Sequence, residues 1–482
     1  MSTADLDIGR EALVSLVAKL TMSVFGFVGV IIFARVLGPG GAGRYYFALA
    51  VAISLVRVPA GIAKAIKKRV SEVGRSPEEY LSVGLIAHAV YLGVVGVLAF
   101  LLAPYLPLEE VATEEILGIL LVLGSVGLFQ ILNKIYSGIG NPGASLWFDT
   151  VRSVFTLGFQ LALLWIGMEA FGLLVGLAAA TVLTAAMVAV ASGVRPSVPT
   201  RETVRSTGEF ARWSVPTAMV GDLYKRADPI LIGIFAGASA VGFYETALRL
   251  VLPASQLAAS ISNPLHVKAS GQSSLGEEVR DDVANALSYA GLFGIPMFFG
   301  ALALPDVLMQ TFYGKGFGDA GIALVGIALF YVFHIYQIPL ESAISGTDKP
   351  ELVFRVKLVG LIGYLPFGIA LGRAYGLLGV IAATLVSEVV MFLVYQYLCR
   401  DVFDGFIFPR PIAAQIASAA VMFGVITWLE TFLSLDNWVP VVALVGTGAL
   451  VYFAVLSVTS SHFRLTARNV LSPIVRQVGQ IA

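Results

Sequence analysis

The sequence has little of what a metalloprotein or a soluble enzyme needs. Cys399 is its only cysteine among 482 residues, which excludes a disulfide framework and a cysteine metal site. Its four histidines lie far apart and show no metal-ligand spacing, so no metal site is expected. Charged residues make up only 13% of the chain, against about 25% in soluble domains. Together with a hydrophobic content of 57% and a mean hydropathy of +0.86, this indicates an integral membrane protein.

Catalytic and nucleotide-binding signatures are also missing. The sequence contains no Walker A motif and no glycine-rich dinucleotide motif, which disfavours ATP-driven chemistry within this chain. The loops between apolar runs are too short to fold a catalytic domain, so we expect neither an enzyme nor a bound cofactor. The net charge is zero, and the basic residues are scattered over several loops, so nucleic acid is not an expected partner.

The chain has about fourteen apolar runs of about 20 residues, each long enough to cross a bilayer. Lysine and arginine concentrate in the loops after the second and sixth runs and in the tail, whereas the loop after the third run is acidic. Basic loops stay on the cytoplasmic side, so both termini are predicted to be cytoplasmic. The predicted fold class is an all-α, multi-pass protein of the cell (cytoplasmic) membrane with about fourteen transmembrane helices.

The sequence repeats itself with a nearly constant offset. Residues 42–50 (AGRYYFALA) parallel residues 241–249 (VGFYETALR), and residues 171–182 parallel residues 375–386. Each repeat holds an even number of runs, six, so the two halves enter the membrane in the same orientation; parallel repeats are a known transporter architecture. The predicted division is a six-helix lobe over residues 1–205, a second six-helix lobe over 206–405, and two extra helices with a tail over 406–482.

Charged residues lie deep within the seventh and eighth apolar runs. Each costs about 2.5–3.5 kcal/mol at mid-membrane, so these groups must face the protein interior or a wet cavity. Asp222 can pair with Lys225 and Arg226 at helical spacing, and Glu245 can pair with Arg249. These charges could pair only to hold the helices in place, or they could contact a charged ligand. The sequence leaves both possibilities open. The residues concerned in this stretch are Asp222, Lys225, Arg226, Asp228, Glu245 and Arg249.

Three further ionisable residues stand out within apolar runs. Arg57 has no carboxylate three or four residues away along its helix, so it needs a partner on another helix or an anionic ligand. Glu341 forms a polar stripe with His334 and Gln337, and Glu388 is an isolated carboxylate in a later run. Either carboxylate could carry a coupling proton or sodium ion, or could simply line a wet cavity.

Two segments resemble a known family of membrane proteins. Residues 33–52 (FARVLGPGGAGRYYFALAVA) and 227–251 (ADPILIGIFAGASAVGFYETALRLV) look like signatures of the Wzx-type polysaccharide flippases. That family belongs to the multidrug/oligosaccharidyl-lipid/polysaccharide (MOP) exporter superfamily, which includes the lipid II flippases and the MATE exporters. The resemblance covers essentially the whole chain.

The resemblance implies a translocator rather than an enzyme. It implies that the chain moves a polyprenyl-(pyro)phosphate-linked sugar or oligosaccharide across the cytoplasmic membrane by alternating access, as a monomer whose partners are this substrate and membrane lipid. Family members hold the carrier phosphate with cavity cations, for which the matching candidates are Arg57, Lys225, Arg226 and Arg249. The alternative is a MATE-like cation-coupled exporter of small organic molecules, which favours an acidic cavity. A membrane-bound polymerase is disfavoured because the chain lacks a large outer loop.

Overall fold

The computed structural model describes the backbone of residues 8–102, 113–275, 279–347, 349–403, 405–408, 411–435, 437–461 and 463–464. All regular secondary structure in these residues is helical. The α-helices described are, in chain order, α1 (Ile8–Val70), α2 (Pro77–Leu102), α3 (Thr113–Gly138), α4 (Pro142–Trp165), α5 (Glu169–Ser192), α6 (Arg201–Leu275), α7 (Arg280–Ala303), α8 (Pro305–Tyr313), α9 (Gly321–Gly346), α10 (Pro350–Val402), α11 (Ile412–Glu430) and α12 (Trp438–Thr459). A 3₁₀ helix, Lys315–Ala320, connects α8 to α9.

Within the described residues, ten helices are long and apolar enough to cross a membrane. Helix α2 shows why lipid is the expected surroundings: only 6% of its most apolar window is buried inside the protein. Its exposed side chains include Val90, Val94 and Phe100, the last of which is 80% exposed. Such a surface is stable against lipid and not against water. The chain is therefore an all-helical, multi-pass membrane protein.

Three of the helices contain one non-helical glycine each. Gly38 in α1, Gly237 in α6 and Gly376 in α10 have positive φ angles of 64°, 79° and 58°. Side chains disfavour this left-handed region, which glycine adopts at little cost. The sequence predicted separate apolar runs before and after Gly38 and before and after Gly237, with a short turn at the latter; the structure instead has helical backbone up to and beyond each glycine. Gly38 and Gly237 share nearly the same conformation (ψ of −176° and 177°) and occupy matching positions of the repeat.

The chain forms two compact units, Met1–Gly242 and Phe243–Ala482. In the first unit, α3 packs against α1 and α5, and its core includes Tyr80, Phe129 and Ile135. In the second unit, α9 packs against α7 and α10, while α11 and α12 pack against each other. The division predicted at residues 205 and 405 was based on the sequence repeat and not on packing. These two units do not test it, so it stays a prediction.

Within the first unit, α1 and α6 approach each other closely at two points. A side-chain carbon added to Gly43 would lie 1.6 Å from the carbonyl oxygen of Ala238, and one added to Gly61 would lie 2.6 Å from the Cα of Val215. Ser214 Oγ also donates a hydrogen bond of 2.7 Å to the carbonyl oxygen of Gly61. Because small residues let helix backbones touch, these contacts fix the two segments that carry Arg57 and Arg226.

Candidate functional site

The cationic candidates of the first unit lie on the packed segments of α1 and α6. Arg57 and Arg226 are half-buried, and Asp228 is buried with 6% of its surface exposed. Arg57 is four residues from the Gly61 contact and Arg226 is eleven from the Val215 contact, or about 6 Å and about 16 Å of helix. The two guanidinium-bearing residues therefore belong to different depths along one helix pair. The side chains of Asp222 and Lys225 lie outside the described residues.

In the second unit, α6 continues with the predicted pair of Glu245 and Arg249. Arg249 Nη2 lies 3.3 Å from Glu245 Oε2, so the pairing expected from their spacing is confirmed. The Glu245 side chain is 4% exposed, whereas that of Arg249 is 34% exposed. The arginine therefore neutralises a buried carboxylate and still presents surface of its own. Burial raises the pKa of Tyr313 on α8, and the nearby positive charge of Arg249 opposes that rise.

Helices α9 and α10 bring together polar residues that are distant in sequence. Gln337 Nε2 donates to Glu388 Oε2 at 2.7 Å and to the main-chain oxygen of Glu388 at 2.9 Å. His334 Nδ1 lies 3.3 Å from the same carboxylate oxygen. Glu388 was expected to be isolated, and this expectation is wrong, because it joins the stripe of His334 and Gln337. Glu341, the third member of that stripe, instead forms an ion pair with Lys357 of α10.

A further cluster at the start of α3 was not predicted. Arg44 Nη2 lies 3.2 Å from Glu169 Oε2, and Arg44 Nη1 lies 3.7 Å from Glu115 Oε1. The sequence reading assigned Glu115 to an acidic loop, but it lies in the first turn of α3 and is only 3% exposed. A buried carboxylate needs a nearby positive charge, which Arg44 supplies. Because the three residues are far apart in sequence, their meeting had no local signal.

The basic turn between α1 and α2 is held by ion pairs. Glu72 lies 3.2 Å from Arg69, 3.6 Å from Lys68 and 3.6 Å from Arg75, and Arg75 lies 2.9 Å from Glu202. Burial alone would raise the pKa of Glu72, but the positive charges of Arg69, Lys68 and Arg75 lower it below its ordinary value. The hydrogen bond from Arg75 to Glu202 raises the pKa of that arginine. These basic residues, which the sequence read as markers of membrane topology, thus also tie the start of α6 to the end of α1.

In the described part of the chain, no group of three or more histidine, cysteine, aspartate or glutamate residues is placed to hold a metal ion. The clusters described above combine cations, carboxylates, an amide and an imidazole. Such groups can bind an anionic headgroup or exchange a proton.

Comparison with known proteins identifies relatives of the whole chain. It is 24% identical over 464 residues to the probable low-salt glycan biosynthesis flippase Agl15 of Haloferax volcanii, covering 93% of this chain and 95% of that protein. It is also 24% identical to the probable flippase AglR of the same organism, covering 92% and 95% of the two chains.

The fold matches solved transporters. The lipid II flippase MurJ in an inward closed conformation superposes with a TM-score of 0.76 at 16% identity, covering 92% of this chain and 98% of that one. An inward-facing multidrug resistance MATE transporter of the MOP superfamily superposes with a TM-score of 0.57 at 15% identity, covering 79% and 95%. At such identities the likeness shows a shared fold.

Family assignment comes from the sequence itself. Residues 8–265, more than half of the chain, match the family described as polysaccharide biosynthesis protein. This agrees with the resemblance noted at residues 33–52 and 227–251. The chain therefore belongs to the polysaccharide biosynthesis protein family.

Proposed function

We propose that this protein is a flippase that moves a polyprenyl-(pyro)phosphate-linked sugar or oligosaccharide across the cytoplasmic membrane by alternating access. The observation that carries the proposal is similarity over nearly the full chain to two proteins named as flippases, one of them in glycan biosynthesis. A fold shared with a lipid II flippase supports it, because that fold accommodates this kind of transport.

The proposed architecture has fourteen transmembrane helices, with both termini on the cytoplasmic side. Helices α1, α6 and α10 have 63, 75 and 53 residues, and each is long enough for two crossings of a bilayer about 30 Å thick. Their interior glycines supply the break that a reversal needs. Helix α4, with 24 residues, is long enough for one further crossing. The basic turn between α1 and α2 sets the orientation through the positive-inside rule.

In this proposal, cations of α1 and α6 bind the phosphate of the lipid carrier. Arginine suits this role because its planar guanidinium donates two parallel hydrogen bonds to a phosphate. Arg57 and Arg226 belong to different depths, so a phosphate can pass from one to the other as the lipid headgroup moves. Arg249 is included in the proposed set because its side chain, beside that of Glu245, is 34% exposed. Lys225 completes the proposed set as a point charge.

The protein is proposed to act as a monomer in the cell membrane, with lipid-linked saccharide and bilayer lipid as its partners. It performs no covalent chemistry on the saccharide and needs no bound cofactor. An ion gradient supplies the energy, with the carboxylates that lie within apolar helices as candidate carriers; these are Asp222, Asp228, Glu245, Glu341 and Glu388.

The experiment uses cells that lack this gene. Lipid-linked saccharide is expected to accumulate on the cytoplasmic leaflet, and surface glycan should be lost. The wild-type gene and an Arg195→Ala control, changed at an exposed loop position, should restore surface glycan, whereas Arg57→Ala and Arg249→Ala should not. Membrane levels of each variant, measured by immunoblotting, separate loss of transport from loss of protein.

The alternative, a MATE-like exporter, predicts a different phenotype. Its support is the fold shared with a MATE transporter. Unchanged lipid-linked saccharide with new sensitivity to organic cations would overturn the flippase proposal and establish the exporter. In that case, Asp222, Asp228 and Glu341 become the residues to vary.

A further inference from the structure

Glu388 is a carboxylate deep within an apolar helix. It is 2% exposed and lies twelve residues after the Gly376 break and fourteen before the end of α10, or about 18 Å and about 21 Å of helix. A lone charge at such a position is costly unless it is paired or protonated. Either a neighbouring group must therefore neutralise the charge of Glu388, or the carboxylate itself must be protonated.

The neighbours of Glu388 supply a proton-exchanging group and a fixed donor. Gln337 contacts Oε2 at 2.7 Å and the main-chain oxygen at 2.9 Å through the same amide nitrogen, which holds the carboxyl group in one orientation. His334 Nδ1 lies 3.3 Å from Oε2. Imidazole is the side chain whose ordinary pKa lies nearest to neutral pH.

The two members of this pair differ in access. The His334 side chain is 40% exposed, whereas that of Glu388 is 3% exposed. A proton can therefore reach the imidazole from outside the packed helices and pass inward to the carboxylate. In that step the N–H bond at Nδ1 breaks as an O–H bond forms on the Glu388 carboxylate, leaving neutral imidazole and a neutral carboxylic acid.

We infer that Glu388 and His334 form a proton-binding site whose protonation drives the transport cycle. The inference rests on the proposed function for its role in transport, but the binding of the proton stands on the geometry of α9 and α10 alone. The proposal assigns the coupling ion and its two carriers, which the sequence left open between proton and sodium and among several carboxylates.

The contacts of Glu388 favour a proton over a sodium ion. Gln337 turns its amide N–H groups toward the carboxylate, and N–H groups repel a metal cation. Sodium is a hard cation that is held by oxygen atoms, and one carboxylate oxygen already accepts the Gln337 hydrogen bond. A proton needs only one free lone pair on this carboxylate, which leaves the Gln337 contact intact in both protonation states.

Tyr395 extends the site toward Glu341. It is 1% exposed and interacts electrostatically with both Glu341 and Glu388. Within the described part of the chain its hydroxyl group has no hydrogen-bond partner. A buried hydroxyl that can both donate and accept a hydrogen bond, and that interacts electrostatically with two carboxylates, is the kind of group that a proton relay uses.

Further ionisable groups lie on the helices that pack around the site. Tyr331 packs edge-on against His334 with ring centroids 5.3 Å apart, and Lys357 neutralises Glu341. Gly294 of α7 faces Ile335, which places the middle of α7 level with the site. The charged residues of α7 lie twelve or more residues from that level, about 18 Å or more, and those before α9 lie about 20 Å from His334. The remaining ionisable groups on these elements are Arg280, Asp281, Asp282, Tyr289, Asp306, Tyr313, Lys315, Asp319, Tyr336, Glu351, Arg355, Tyr364, Arg373, Tyr375, Tyr397, Cys399, Arg400 and Asp401.

The test measures protonation directly on the full-length protein in lipid nanodiscs. Infrared difference spectra are recorded between pH values, and the carbonyl stretch of a protonated carboxyl group is followed. Wild type should show one such band whose intensity changes with pH. Glu388→Gln, which preserves shape and can still accept from Gln337, should abolish that band. Glu351→Gln, the same change at an exposed position of the same helix, should leave it intact.

His334→Gln provides a second readout that does not depend on the folding of the Glu388 variant. Because coupled groups shift one another, the midpoint of the carboxyl band should move by about one pH unit or more. If the midpoint of the band is the same in His334→Gln as in wild type, His334 and Glu388 are not coupled and the proposed pair is refuted. A wild-type spectrum without the band, or a band unaffected by Glu388→Gln, would overturn the site. Carboxylate bands that respond to sodium chloride at constant pH, and do not respond to pH, would show that the site binds sodium and not a proton.

Transport is then measured separately with a fluorescent lipid-linked saccharide in proteoliposomes. An imposed pH difference should change the wild-type flipping rate several-fold, an imposed sodium difference should not, and Glu388→Gln should lose the response to pH. A titrating band without any flipping would refute the proposed function and leave the proton site standing. A wild-type flipping rate that is the same with and without the pH difference would refute the coupling of transport to proton binding.

Discussion

Replacing Gly43 with alanine is expected to destabilise the first unit by forcing α1 and α6 apart. The added Cβ atom would lie 1.6 Å from the carbonyl oxygen of Ala238 and 2.9 Å from the amide nitrogen of Gly242. Both are backbone atoms, so no side-chain rotation relieves the clash. Non-bonded heavy atoms normally lie about 3.5–4.0 Å apart, so the helices must separate by roughly 2 Å.

The cost follows from the loss of packing along this helix pair. Overpacking of a tight contact costs about 1–3 kcal/mol, and the rigid backbone atoms place Gly43→Ala at the upper end, about 3 kcal/mol. For a unit of this size that corresponds to a fall of about 6–12 °C in melting temperature. Gly242→Ala should act in the same direction, since its Cβ atom would lie 2.2 Å from the carbonyl oxygen of Pro39. The double variant should lose less stability than the sum of the two single variants, because both changes disrupt the same helix contact.

Thermal unfolding of the purified full-length protein in detergent is the assay, with Gly158→Ala as the matched control. Gly158 lies within α4, and a Cβ atom added there would have no atom within 4 Å, so alanine should be neutral or should stabilise by up to about 1 kcal/mol. Equal melting temperatures for Gly43→Ala and Gly158→Ala would refute the close approach of α1 and α6.

Two further predictions concern ion pairs. Arg249→Ala should destabilise the protein by about 1–3 kcal/mol, allowing for the exposure of Arg249, because it leaves the buried carboxylate of Glu245 uncompensated; the double variant with Glu245→Gln should recover melting temperature but not flipping. A double variant as unstable as Arg249→Ala alone would contradict this. Glu72→Gln should lower the melting temperature at neutral pH only. The lowered pKa of Glu72 stabilises the fold above its unfolded-state pKa, and this contribution is lost as pH falls through the folded-state pKa. A difference between wild type and Glu72→Gln that stays constant from neutral to acidic pH would refute it.

Local pattern was enough to predict what depends on neighbouring residues. The length and apolarity of the runs predicted an all-helical membrane protein, and spacing along one helix predicted the pair of Glu245 and Arg249, which the structure confirms. The motifs of residues 33–52 and 227–251 predicted the family, which the comparisons confirm. In each case the signal lies within one segment of the chain.

Contacts between separate helices had no such signal. His334 and Glu388 are 54 residues apart, and Arg44 and Glu169 are 125 apart, so only the packing of their helices brings each pair together. The segment around Gly38 was expected to lie between two apolar runs, but in the structure only one residue there leaves the helical conformation. The orientation in the membrane and the substrate contacts of Arg57, Lys225, Arg226 and Arg249 stay predictions.

The proposed function is translocation of a lipid-linked saccharide, with Arg57 as a phosphate contact. The most direct measurement is the rate at which a fluorescent polyprenyl-phosphate-linked saccharide changes leaflet in proteoliposomes, read by quenching of the outer leaflet. Wild type and Arg195→Ala are predicted to flip the probe, and Arg57→Ala is predicted to insert normally but to flip it no faster than protein-free liposomes. Flipping by Arg57→Ala at the wild-type rate would contradict the role of Arg57, and no flipping by wild type would contradict the proposed function.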